Sequence, residues 1–109
     1  MEKTAAYIQK GESLNYINST QSKIPANTVL LFGSRMGIAG GDMEPGELGA
    51  LHVAGVFEIP KKAGEALTAG DNVVFTEEDG IVKATDIVMG YAVEDAAASD
   101  LTAKVKLLG

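Results

Sequence analysis

The sequence has no cysteine. Disulfides, thiolate metal sites and cysteine nucleophiles are therefore excluded, and stability owes nothing to an oxidising compartment. There is no tryptophan, and only three Phe and three Tyr. The stacking platforms typical of sugar and single-strand nucleic-acid sites are missing. Nine Lys and Arg stand against fifteen Asp and Glu, for a net charge of −6. A nucleic-acid-binding face needs a basic patch, but these cations are scattered, the closest pair being Lys61 and Lys62. Apolar runs stop far short of the roughly 18–20 residues that span a bilayer, so no membrane contact is expected. The opening Met1–Thr4 carries no apolar stretch, which predicts no signal peptide and synthesis in the cytosol.

What is present suits a small β protein. The 109 residues fit one domain, 1–109, with 46% apolar residues to fill one modest core. Thirteen Gly punctuate the chain at intervals, as tight turns between short strands would require. Leu101, Ala103, Val105 and Leu107 alternate with Thr102, Lys104 and Lys106, predicting a terminal strand with one buried face. Ile87–Val93 reads as a central strand, apolar or small on both faces. Asn72–Thr76 and Ile81–Ala84 flank Glu77-Glu78-Asp79-Gly80, a hairpin whose Gly takes a positive φ without steric cost.

Leu48–Ile59 reads as one long strand ended by Pro60, which has no N–H for a ladder. Thr28–Gly33 reads as a short buried strand, and Met36–Ala39 as another before the turn Gly40-Gly41-Asp42. Ser13–Asn18 is a strand after Lys10-Gly11-Glu12. Thr4–Gln9, within residues 1–9, is either a first strand or an arm. Lys61–Leu67 is the one place for a single helical turn. Phe32, Phe57 and Phe75 are expected in the core. No internal repeat is read. The fold class is all-β: a single-domain barrel or sandwich of about eight or nine short strands.

Catalytic constellations are not found. The single His52 sits in an alternating strand and reads as a partly exposed sheet residue. Gly33-Ser34-Arg35 is a turn, not a nucleophile elbow. Gly37, Gly40 and Gly41 have no following Gly-Lys-Ser/Thr to make a phosphate loop. Asp42, Glu44 and Glu47, and likewise Glu77, Glu78 and Asp79, lack the spacing of a calcium loop and read as solvated turns. Lys83 lies between Val82 and Ala84, without the Met neighbours of a carrier-domain lysine. No enzyme activity, cofactor or metal is expected.

Five segments in order resemble one known family. They are Tyr7-Ile8-Gln9-Lys10-Gly11-Glu12, then Ala54-Gly55-Val56-Phe57-Glu58-Ile59-Pro60-Lys61, then Leu67-Thr68-Ala69-Gly70-Asp71-Asn72-Val73-Val74-Phe75, then Met89-Gly90-Tyr91-Ala92-Val93-Glu94, and finally Ala103–Gly109. Their order and spacing are similar to those of DUF2190, the phage capsid cement or decoration proteins. Gly33–Leu48 matches no part of the pattern and reads as an exposed loop.

The resemblance implies a structural virion protein of a tailed phage, on the outer capsid surface, made in the host cytoplasm. It implies binding across major capsid protein subunits in the expanded shell, as a homotrimer at threefold positions. It carries over no catalytic residue. The capsid-contact candidates are Thr4, Ala5, Ala6, Tyr7, Ile8 and Gln9, a β-prone stretch that could add a strand to a capsid sheet. The competing reading, a carbohydrate- or receptor-binding β module, would call for exposed aromatics or a metal site.

Overall fold

The terminal strand takes the form its alternation predicts. Ala103, Val105 and Leu107 are buried, while Thr102, Lys104 and Lys106 face water. A computed structural model describes residues 3–6 and 11–108. Its nine strands among these residues are β1 (Ser13–Ile17), β2 (Val29–Phe32), β3 (Arg35–Ala39), β4 (Leu48–His52), β5 (Ala54–Pro60), β6 (Asn72–Thr76), β7 (Gly80–Lys83), β8 (Gly90–Ala92) and β9 (Thr102–Leu108). They form two antiparallel sheets, ordered β1-β4-β3-β2 and β5-β9-β8-β6-β7. The sheets share one core, in which Met36 and Ile38 of the first join Ile59, Val73, Ile81, Val105 and Leu107 of the second. The result is a sandwich-like all-β slab, 48 × 41 × 20 Å.

Several expectations are corrected. Leu48–Ile59 is two strands, β4 and β5, in different sheets. Val53 divides them: its side chain is buried, and its amide bonds Glu12 O at 3.0 Å, one step past the Ser13–His52 pair, before the chain passes to the second sheet. Lys61–Leu67 forms no helix. Its amides bond across to other segments, Lys61 N to Leu101 O, Lys62 N to Ile81 O and Gly64 N to Ala98 O, so no i→i−4 ladder can close. Thr28–Gly33 is not buried, because β2 is an edge strand with Leu31 37% exposed. Phe32, Phe57 and Phe75 are half-buried, the last two packed on the margin of the core. Ile87 is exposed and precedes the three-residue β8, which does lie in the middle of its sheet.

The expectation of no internal repeat is also overturned, by the hydrogen-bond register. In the first sheet Val29 and Leu30 pair with Ile38 and Gly37; in the second Asn72 and Val73 pair with Tyr91 and Gly90. Ile38 and Ala39 pair with His52 and Leu51; Tyr91 and Ala92 pair with Lys106 and Val105. Ile17 faces Leu48 as Pro60 faces Thr102. Even the isolated bridges match, Ile24 with Met43 and Leu67 with Ala96. The first half, Ser13–His52, and the second, Ala54–Leu108, are two versions of one four-stranded unit. The second contains one extra strand, β7, and one extra residue, Leu101. That extra residue sits in a bend before β9 and is 72% exposed, contrary to the face assigned to it from sequence.

Candidate functional site

Of the six capsid-contact candidates, Thr4, Ala5 and Ala6 are exposed and lie outside any strand. Tyr7, Ile8 and Gln9 lie outside the described residues. The segment leads into β1, at one edge of the first sheet.

The acidic turns are wired into the backbone. Asp42 Oδ1 accepts the amide of Ala26 at 2.8 Å, and its counterpart Asp95 accepts the amide of Ala69 at 2.8 Å. Glu47 accepts the amide of Glu44, and Asp100 that of Ala97, each at 2.9 Å. Each pair of turns is held by a two-way bridge, Ile24 with Met43 and Leu67 with Ala96. The turn residues Asn27 and Gly70 carry the same left-handed backbone, with φ of 71° and 92°. These carboxylates satisfy turn amides that strand pairing leaves free.

The Ala26 amide, and then Lys23 at 3.3 Å, hold the Asp42 carboxyl below its usual range. A carboxylate depressed in the folded state adds stability above its unfolded pKa and loses it as pH falls through the folded one. Asp42→Asn keeps the acceptor and removes the charge. The stability advantage of the native protein over this variant, measured by urea unfolding at about pH 6, should therefore shrink at about pH 2.5. An advantage that is constant with pH would show that the ionised form is not what the turn requires.

His52 is half-buried, as expected of a sheet residue. Its Nδ1 lies 2.9 Å from Ser13 Oγ and its ring stacks on Phe57 with centroids 6.4 Å apart. A shallow 330 Å³ hollow beside it is lined by Glu12, Ser13, His52, Ala54 and Gly55. The ring is held between the two sheets by packing, and the contact reads as structural.

Two buried polar side chains escaped the sequence reading. Asn18 and Lys61 are 0% and 5% exposed, and they occupy the same place in the two halves. Asn18 N bonds Glu47 O as Lys61 N bonds Leu101 O, each at 3.0 Å. The Asn18 amide donates to Ser22 O at 2.8 Å and Met43 O at 2.9 Å. Lys61 Nζ donates to Lys62 O at 2.8 Å and Glu65 O at 2.6 Å. Each thus ties down the carbonyl four residues on. A polar residue just after a strand was the only signal, and many exposed loops share it.

The family model of the phage cement protein matches residues 8–107. The chain belongs to the phage cement protein family. No curated protein matches it. Among solved structures, the N-terminal base of head fiber gp8.5 of bacteriophage phi29 is similar at TM-score 0.46 and 18% identity, covering 87% of this chain and 93% of that one.

A phage cement protein has a structural, capsid-associated role in the virion, as the resemblance implied. The features above fit that role. Side chains that could have suggested chemistry, Asp42, Glu47, His52 and Lys61, are occupied in holding turns and strands together.

Proposed function

We propose that this protein clamps neighbouring subunits of the major capsid protein in the expanded shell, from the outer surface, as a homotrimer at threefold positions. Membership of the phage cement protein family carries the reading. A ligand that binds one state of a shell and not its separated parts stabilises that state by mass action, about 2.7 kcal/mol per site at a hundred times its Kd. Many copies on a fixed lattice, each touching more than one subunit, add avidity. A trimer on a threefold axis presents three equal contacts from one surface.

The segment Thr4–Gln9 is the proposed arm. Its described part, Thr4–Ala6, is exposed and free of strand structure, so it is available for addition to a capsid sheet. Co-sedimentation with expanded and unexpanded heads tests the reading, with binding expected on expanded heads alone. Deleting residues 1–9 should weaken that binding about tenfold or more while leaving the β-sheet circular dichroism intact. Full binding by the folded truncation would remove the arm from the interface. Sedimentation equilibrium, with and without shell fragments, reads the trimer.

A further inference from the structure

The repeat shows what the first half lacks. In the second half β7 lies antiparallel to β6, pairing Val73 with Lys83, Val74 with Val82 and Phe75 with Ile81. It also reaches back to β5, through a parallel bridge between Lys61 and Ile81 and a 3.0 Å bond from Lys62 N to Ile81 O. β7 thereby covers β6 and closes the second half against the end of β5 at this one point. In the first half β2 is the counterpart of β6, and no strand lies beyond it among the described residues. Among the described residues its outer edge and that of β1 carry no paired strand.

Burial registers the difference position by position. Val73 and Ile59 are fully buried in the closed half. Their counterparts Leu30 and Tyr16 are only half-buried, around the small cluster of Ile24, Ala39 and Met43. Ile81, the apolar residue that β7 contributes to the closed half, has no equivalent in the open one. On the closed side Ala84 N donates to Asn72 O at 2.9 Å. Asn72 corresponds to Val29, so the backbone groups of Val29, and of Leu31 two residues on, point to the open side.

We infer that the open edge of β2 seats one extended segment of the shell protein, running antiparallel to β2 in the place β7 holds in the second half, with an apolar side chain followed two residues later by Lys or Arg. The inference rests on the capsid-binding reading and specifies how binding occurs. Direction argues against Thr4–Ala6, the described part of the N-terminal segment, as the occupant. A strand in that place runs parallel to β1, as β7 does to β5. Parallel neighbours need a crossover of about a dozen residues, whereas only a few join Ala6 to Ser13.

Charge sets the chemistry of the occupant. The start of β2 borders a groove of about 470 Å³ with an apolar wall of Val29, Pro60 and Phe75. Glu77, Glu78 and Asp79 line the same groove, and no Lys or Arg does. An antiparallel strand brings its C-terminal end to this point, where β7 in the other half carries Lys83. A second copy of this chain, acidic overall at net charge −6, is a poorer match to this acidic groove than a basic segment. A basic, apolar shell segment is favoured on both counts.

Hydrogen exchange on protein bound to expanded heads tests the inference. The amides of Val29 and Leu31 should exchange about tenfold or more slowly than in the free protein. Leu31→Pro, which removes one outward donor from an edge strand, should weaken head binding, as should the pair Glu77→Lys and Glu78→Lys. Unchanged exchange at Val29 and Leu31 on saturated heads would overturn strand addition while leaving capsid binding intact. Protection that appears without heads and rises with protein concentration would assign the seat to a second copy, overturning the shell segment. Failure to bind heads at all would overturn the capsid reading and this inference with it.

Discussion

Gly90→Ala is expected to destabilise the protein by about 3 kcal/mol, the upper part of the usual range for overpacking. Gly90 lies in β8, the middle strand of its sheet. An added Cβ would stand 2.5 Å from Lys106 O and 2.9 Å from Val105 Cγ1. The first of these is backbone of the paired strand β9 and cannot move without breaking the ladder. Gly37, the counterpart in the first half, meets only the side chain of Leu51, at 2.6–2.9 Å. That side chain can shift at some cost to packing, so Gly37→Ala should be milder. Gly41 has nothing within 4 Å, and Gly41→Ala should stay within about 0.5 kcal/mol of the native protein. Urea unfolding orders the three. A Gly90→Ala midpoint equal to that of Gly41→Ala would mean that β8 and β9 do not approach as closely as described.

Asn18→Asp should cost about 3 kcal/mol or more near neutral pH, because it places an unpaired charge at a fully buried position. The native amide donates to two carbonyls and accepts both the amide of Thr20 and its hydroxyl, at 3.0 and 2.6 Å. A carboxylate would face the oxygens of Ser22 and Met43 with no proton to offer. Burial would raise its pKa in the folded state. The penalty is then full above the folded pKa and shrinks as pH falls towards the unfolded value. Asn18→Ala removes those two donations and the bonds from Thr20 as well, but adds no charge, and should cost about 2 kcal/mol with no such pH dependence. Thermal unfolding of both variants at two pH values separates the charge from the lost bonds.

Much of the fold was legible in the sequence because period-two alternation survives wherever a strand has one wet face. β9 shows this, with Lys104 and Lys106 between Val105 and its buried neighbours. The β6–β7 hairpin was legible from its turn, where Gly80 takes a φ of 77°. Alternation failed where strands change sheets. Leu51 and Val53 keep the same parity across the break between β4 and β5, so nothing in the pattern announces it.

The repeat was written in the chain but masked by the insertion of β7. Met36, Gly37, Ala39 and Asp42 recur as Met89, Gly90, Ala92 and Asp95, and Ala26 and Phe32 as Ala69 and Phe75. The two sets follow different spacings, which hides them from a search at one fixed period. It also changes the reading of Gly33–Leu48. That stretch matched no family motif, yet it supplies β3 and the shared-core residues Met36 and Ile38. The arm Thr4–Gln9 is marked in the sequence by its β propensity. The open edge of β2 carries no such mark, since an edge exists only relative to its neighbours.

The passage from β4 to β5 through Val53 has a mechanical consequence. A shell under internal pressure would pull a clamp of the proposed kind sideways, and a clamp fails at its weakest seam. Tension drawn along this line is borne in shear by three ladders, five residue pairs between Ser13–Ile17 and Leu48–His52, two between β3 and β4, and seven between Ala54–Pro60 and Thr102–Leu108. In shear every rung of a ladder must give way together, whereas a seam pulled open from one end parts rung by rung. A chain that crosses between its two halves through the single residue Val53, and not at a loose loop, would suit the proposed clamp to such a load.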